Sequence, residues 1–225
     1  DDEGKLSAAG GGIDPTMVEF VGDVNEPMRR EDAVAMEPDL ILTITHAPDD
    51  PLDYWSIDPS VLPQVQAIAP VLALSGTGRS DISVERTAKL AEALGADLST
   101  PEVQAQKERY GAAIAAFSAA AAEQAELTSL FSSVKKDGAI VIANPPDWRD
   151  LAWYRALGLN IIDPDAEPLS YWEELSAENA LKYPSDILWQ STRPLAMTAE
   201  ELEADSVWQH HPAVSSGQIG GWNQD

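Results

Sequence analysis

Seven tryptophans and five tyrosines stand in an otherwise alanine-rich chain of 225 residues, and they are unevenly placed. Tyr54-Trp55, Trp148, Trp153-Tyr154, Tyr171-Trp172 and Trp189 fall at or just past segments that read as strands. Arg79, Arg149 and Arg193 fall on loops at the same kind of position, in a chain with eight arginines. Aromatic faces cover apolar ligand surface, and guanidinium forks bond acceptor oxygens in pairs. Converging on one cleft, these side chains would hold a bulky, anionic or hydroxamate-rich metal chelate. Each tryptophan could equally serve to pack a lobe, and the sequence leaves both readings open for every one of them.

Catalytic signatures are missing. Ser75-Gly76-Thr77-Gly78-Arg79-Ser80 is glycine-rich and follows a strand, but it has neither the Lys-Ser/Thr of a phosphate loop nor the spacing of a dinucleotide site. No GxSxG elbow offers a nucleophilic serine. The chain has no cysteine, which removes disulfides, thiolate metal sites and cysteine nucleophiles. His46, His210 and His211 read as surface residues, and adjacent histidines at a helix end do not face one metal. Asp49-Asp50 and Glu173-Glu174 read as solvated charges. No catalytic residue, metal site or intrinsic cofactor is expected. The chain reads as a binding protein, with an α/β enzyme on the same scaffold as the alternative of a different class.

Charge narrows the partners. With 14 Lys plus Arg against 38 Asp plus Glu, the net charge is −24, which repels nucleic acid and favours neutral or cationic small molecules at long range. A local arginine can reverse that preference within one pocket. At 44% hydrophobic and 23% charged residues, the chain has the apolar material for a packed core. No run approaches the ~18 apolar residues of a membrane span, and Asp1-Asp2-Glu3-Gly4-Lys5 lacks the regions of a signal peptide.

The elements that must position these residues alternate. Asp1 to Gly12 reads as loop and Met17 to Gly22 as a short strand. A helix follows over Pro27 to Met36, and then Leu40-Ile41-Leu42-Thr43-Ile44-Thr45 as a parallel strand covered on both faces. Pro59 to Ile68 reads as a helix, Pro70 to Leu74 as a strand, and Val84 to Leu94 as a helix stopped by Gly95. Pro101 to Ser129 keeps a helical stripe through Tyr110, Ile114, Phe117 and Ala121, long enough for a spine between two lobes. Beyond it come strands at Ala139–Ala143, Asn160–Ile162 and Asp186–Trp189, and helices at Leu151–Leu157, Ala177–Tyr183 and Ala199–Trp208. Strands alternating with helices imply parallel sheets. The expected architecture is α/β: an N-terminal lobe over 1–98, a linking helix over 99–129, a C-terminal lobe over 130–225, and a ligand cleft between two Rossmann-like lobes.

Two segments echo each other: Glu31-Asp32-Ala33-Val34-Ala35-Met36-Glu37-Pro38-Asp39-Leu40-Ile41-Leu42 and Glu178-Asn179-Ala180-Leu181-Lys182-Tyr183-Pro184-Ser185-Asp186-Ile187-Leu188. With Ala67-Ile68-Ala69-Pro70-Val71-Leu72, Leu90-Ala91-Glu92-Ala93-Leu94-Gly95 and the Pro212-Ala213-Val214 to Trp222 tail, they resemble the iron-siderophore and cobalamin class of ABC-transporter solute-binding proteins. Tyr171-Trp172-Glu173-Glu174-Leu175-Ser176-Ala177-Glu178 resembles most the actinobacterial siderophore-binding branch.

The resemblance runs from about residue 18 to the end. It implies two α/β lobes bridged by one long helix, a monomer held outside the cytoplasm, periplasmic or lipid-anchored, and capture of a ferric siderophore for an ABC importer. Haem or a cobalamin is the alternative ligand. It also implies that one exposed glutamate per lobe meets arginines on the membrane permease, and the matching positions are Glu31 and Glu178. The resemblance implies an Arg-Val-Val strand and a helix between an opening like Asp1-Asp2-Glu3-Gly4 and the Val21-Gly22 step. Here Asp1 to Leu6 runs almost directly into Ile13, so the first lobe is expected to be incomplete relative to the family, through a shortened chain or through residues missing from this sequence.

Overall fold

A computed structural model describes residues 15–17, 30–46, 54 and 57–224. The expected loop at Asp1 to Gly12, most of the strand expected at Met17 to Gly22, Asp49-Asp50 and Trp55 lie outside them; Met17 itself closes a 3-10 turn, Pro15–Met17. The chain divides into two compact units, Asp1–Gly76 with Asp225, and Thr77–Gln224.

In the first unit, α1 (Arg30–Ala35) leads to β1 (Ile41–Thr45), α2 (Leu62–Gln66) and β2 (Val71–Ser75). The strands pair in parallel, Ile41 opposite Val71 through Thr45 opposite Ser75. A helix between two parallel strands is the crossover that such pairing requires. Leu62 and Val65 of α2 are buried. The strand expected to be covered on both faces is not: Leu42 is 50% exposed and its register partner Leu72 38%, on the face that the described helices leave open.

In the second unit, α3 (Ser80–Ala93) stops where Gly95 takes φ +97°, a conformation open to glycine. This helix, expected in the first lobe, groups with the second unit. The long helix, α4 (Pro101–Glu123), starts with Thr100 accepting the Val103 N–H and with proline at its first position. At 1.5 Å per residue it spans roughly 34 Å. It ends before the expected Ser129, because Ser129–Val134 is a strand, β3, in which every residue is buried. The alanine run carries no glycine or proline to mark that change.

After β3 come β4 (Ile140–Ala143), α5 (Arg149–Ala156), β5 (Trp172–Leu175), β6 (Ile187–Ser191), α6 (Ala199–Ala204), α7 (Pro212–Ser215) and β7 (Ile219–Trp222). The sheet order is β5-β4-β3-β6-β7. β6 runs parallel to β3 and β7, but β4 is antiparallel to both β3 and β5. The sheet is therefore mixed, where a parallel one was expected. The cause is local: Lys135 to Ala139 is a tight turn, with Lys135 N–H bonded to the Ala139 carbonyl at 2.8 Å and Gly138 at φ +90°, and so short a link can only return antiparallel.

Three other expected elements are shorter than read. Asn160–Ile162 makes one bridge, Ile161 to Ser129. The helix expected over Ala177–Tyr183 is a 3-10 turn, Ala177–Asn179, since Pro184 disfavours helix at the residue before it. α6 ends at Asp205, whose carboxylate turns to accept the N–H groups of Val207 and Trp208 at 2.8 and 2.9 Å.

The two sheet faces differ. Leu130, Ile142 and Leu188 on one face pack with Leu202, Trp208 and Val214 from the covering helices and turns. On the other, Phe131, Ala143, Leu151, Ile161 and Trp222 form a second cluster, with Trp148, Trp172 and Trp189 against it. A fully buried leucine or isoleucine such as Leu188 or Ile142 contributes about 1.5–3 kcal/mol.

Candidate functional site

Ligands of open α/β sheets bind beyond the carboxyl ends of the strands, and the second unit has a hollow there. It holds about 380 Å³ and is lined by Lys136, Gln190, Arg193, Met197, Thr198 and Gly221, among others, within the roughly 300–1,000 Å³ usual for small-molecule sites. Gln190 builds its wall. Its buried carboxamide accepts from the Ser132 hydroxyl at 2.9 Å and the Val134 N–H at 3.2 Å, and donates to the carbonyls of Val134 at 2.8 Å and Met197 at 3.1 Å. One side chain thus fixes the end of β3 to the loop before α6.

That loop turns through Arg193-Pro194-Leu195-Ala196, closed by the Ala196 N–H on the Arg193 carbonyl at 2.9 Å, with proline where such a turn favours it. The turn leaves the Arg193 side chain exposed at the rim. Lys136, from the β3–β4 turn, pairs with Glu201 at 3.1 Å. Glu201 also accepts the Thr198 N–H at 2.8 Å while Thr198 accepts the Glu201 N–H, a reciprocal cap on α6. The Thr198 bond, then Lys136, holds the Glu201 carboxyl below its usual range.

An aromatic layer covers the second sheet face. Trp172, Ala143, Phe131, Trp189 and Gly220 share one row across the five strands. The small residues leave room for the large: a Cβ on Gly220 would collide with the Trp189 ring, which stacks on Phe131 at 5.7 Å. Trp148 lies 4.9 Å from Trp172 and 5.0 Å from Trp222, ring centre to ring centre. Three indole N–H groups of the layer are satisfied, Trp148 by the Tyr171 carbonyl at 2.8 Å, Trp189 by Ser129 at 3.2 Å and Trp222 by Asp150 at 2.7 Å. Tyr171 takes φ +60°, which is costly for a bulky side chain. Three hydrogen bonds hold it: its N–H reaches Asp147 at 3.3 Å, and its carbonyl accepts from Asn144 N–H and from Trp148.

The predicted site residues fall into separate groups. Trp148, Tyr171 and Trp172 meet, edge to face. Arg79 meets Trp153, its guanidinium carbon 5.1 Å from the ring centre, while two bonds of 3.0 and 2.7 Å bind it to Asp81. That pairing raises the Arg79 pKa and lowers that of Asp81. Trp189 is taken up in the layer. Arg149 is exposed at the start of α5. Because β4 runs against β3 and β6, the turn carrying Trp148 leaves the sheet at the opposite edge from Arg193. Tyr54 makes an isolated bridge to Ile57 in the first unit, and Trp55 lies outside the described residues.

Glu31, in the first turn of α1, and Glu178, in the 3-10 turn, are both exposed. The carboxyl of Glu178 is held below its usual range by its own backbone N–H and then by Ser176.

Two other readings are corrected. His211 is fully buried rather than on the surface. Glu173 is no solvated charge: it accepts from Lys182 at 2.5 Å, Tyr183 at 2.6 Å and the Asp165 N–H at 2.9 Å. Burial pushes its pKa up, but these bonds outweigh that and leave it low.

Gln190, Lys136 and Glu201 escaped the sequence reading, and Trp222 entered it only as the end of the tail, without a place in the site. A glutamine inside the apolar run Ile187-Leu188-Trp189-Gln190 was the signal for the first, and the Gly220-Gly221-Trp222 step for the last. Among the described residues no group of histidine and carboxylate side chains is placed to hold a metal ion.

Known structures share this fold. DesE, a ferric-siderophore receptor protein from Streptomyces coelicolor, matches with a TM-score of 0.83 and 27% identity over 100% of this chain and 76% of that one. The siderophore periplasmic binding protein from the fuscachelin gene cluster of Thermobifida fusca matches at 0.63 and 20% identity, over 93% and 74% of the two chains. FhuD2 from Staphylococcus aureus, solved with bound ferrioxamine B, matches at 0.58 and 18%, over 93% and 77%. No protein of curated function matches in sequence. The sequence model of the periplasmic binding proteins spans residues 21–225, and the chain belongs to that family.

Proposed function

We propose that the protein captures a ferric siderophore outside the cytoplasm and delivers it to an ABC importer, binding its cargo without transforming it. The observation that carries the reading is the hollow at the carboxyl edge of β6 and β7, which offers hydroxyl groups, the exposed Arg193 side chain and a glycine floor to an oxygen-rich chelate. Its support from outside the chain is the 27% identity to a ferric-siderophore receptor. The protein acts as a monomer, and Glu31 and Glu178 meet basic side chains of the permease.

The test is a titration of tryptophan fluorescence with ferrioxamine B, a ferric tricatecholate, haem and cobalamin. Saturable binding of a ferric siderophore is the expected result. Binding of haem or cobalamin alone would overturn the ligand while keeping the carrier role.

A further inference from the structure

The charges around the hollow specify which chelate it takes, an inference that rests on the siderophore reading. Two basic side chains line it, Lys136 and Arg193. Lys136 is neutralised by Glu201 at 3.1 Å. Glu201 cannot swing away without giving up its bond to the Thr198 N–H at the start of α6. The remaining polar lining, including Gln190, Ser191, Thr192 and Thr198, is uncharged, and the Gln190 carboxamide is already committed to four bonds. In the same unit, Arg79 is closed off by Asp81. The lining therefore supplies at most one cation, Arg193, beyond the Lys136–Glu201 pair, in a chain of net charge −24.

A ferric tricatecholate is a threefold anion. Each charge that leaves water must be met by a cation, or the desolvation cost stands. A ferric trihydroxamate has an electrically neutral core, oxygens that accept hydrogen bonds, and apolar spacers. The field of an acidic protein repels the first and tolerates or attracts the second.

We infer that the hollow selects ferric trihydroxamates, neutral or cationic overall, against ferric tricatecholates, and that Glu201 sets this selectivity by neutralising Lys136. The experiment titrates the full chain with ferrioxamine B and with the ferric complex of a synthetic linear tricatecholate, in the natural sequence and in Glu201→Gln. Glutamine still fits the reciprocal cap but removes the charge.

The natural protein should bind ferrioxamine B at least tenfold more tightly, and Glu201→Gln should narrow that ratio by about tenfold, mostly through the tricatecholate. Lys136→Gln leaves Glu201 unpaired and should widen the ratio, which keeps the test informative if Glu201→Gln unfolds. Equal or tighter tricatecholate binding by the natural protein overturns the inference and leaves the siderophore reading standing. A ratio that neither substitution moves overturns the role of Glu201. Binding of neither complex overturns both readings.

Discussion

The indole N–H of Trp222 donates to the carboxylate of Asp150 at 2.7 Å, fastening the last strand to the first turn of α5. A charge-assisted bond of this kind is worth about 1.5–3 kcal/mol. Asp150→Ala should lower the free energy of unfolding in urea by that amount, and Trp222→Phe in the Asp150→Ala background should add less than it does alone. Full additivity of the two changes would show that the pair is not coupled.

Gly220 faces the Trp189 ring with no room for a methyl group. Gly220→Ala should destabilise by about 1–3 kcal/mol through overpacking, and Trp189→Leu, which clears the space, should rescue much of that loss. Wild-type stability of Gly220→Ala would mean that the indole moves aside freely.

His211 should make stability depend on pH. Its Nδ1 accepts the Ala213 N–H at 3.2 Å, so its proton sits on Nε2, 3.0 Å from the Tyr183 carbonyl. Burial lowers its pKa, against the smaller raising effect of the Tyr183 bond. As pH falls through about 6.5 the unfolded chain gains a proton that the folded ring refuses, so stability held above that pH is lost progressively until the folded ring also protonates. His211→Asn, which can still cap α7 but does not titrate, should flatten the melting temperature between pH 7 and pH 5, roughly the imidazole range. Carboxylates such as Glu173, whose pKa is lowered on folding, contribute stability above their unfolded pKa and lose it at more acid pH, a separable window.

What the sequence made legible, and what it hid, follows from particular residues. Runs of β-branched and apolar residues revealed β1, β2, β4 and most of β6, and Gly95 marked a helix end where the backbone takes φ +97°. β3 was hidden by its serines, Ser129, Ser132 and Ser133, which are buried yet read as loop or helix end. β5 was hidden by Glu173, whose charge reads as solvated until Asp165, Lys182 and Tyr183, eight to ten residues away, are seen to bond it. β7 was hidden by Gly220 and Gly221, which weaken a strand on their own, yet a Cβ on the first would meet the Trp189 ring and one on the second the Thr192 methyl. Once β4 was read as parallel, Trp148 and Arg193 were assigned to the same sheet edge. The five-residue turn before β4 places them on opposite ones.

Arg193 and Arg149 can therefore be separated by experiment. Arg193 borders the hollow, so Arg193→Ala should weaken siderophore binding by about 1–3 kcal/mol, while Arg149→Ala should have a smaller effect. Isothermal titration with ferrioxamine B distinguishes the two. A larger loss in Arg149→Ala would move the site to the aromatic edge.

Glu31 and Glu178 are exposed, and a carboxylate in the first turn of a helix gains only about 0.3–1 kcal/mol from the helix dipole. Glu31→Ala with Glu178→Ala should leave siderophore affinity and melting temperature nearly unchanged while uptake into cells falls. Normal uptake at normal abundance would exclude both from the permease contact.

Trp148, Trp172 and Trp222 stand with ring centres 4.9 to 5.8 Å apart and steeply inclined. Transition dipoles at such separations exchange excitation and mix their optical activity. The trio is thus a built-in chromophore whose near-ultraviolet circular dichroism depends on all three rings keeping their places. A few degrees of tilt in α5, which carries the bond partner of one ring, would change that spectrum before any helix or strand is lost, so the protein reports loosening of this layer without a label.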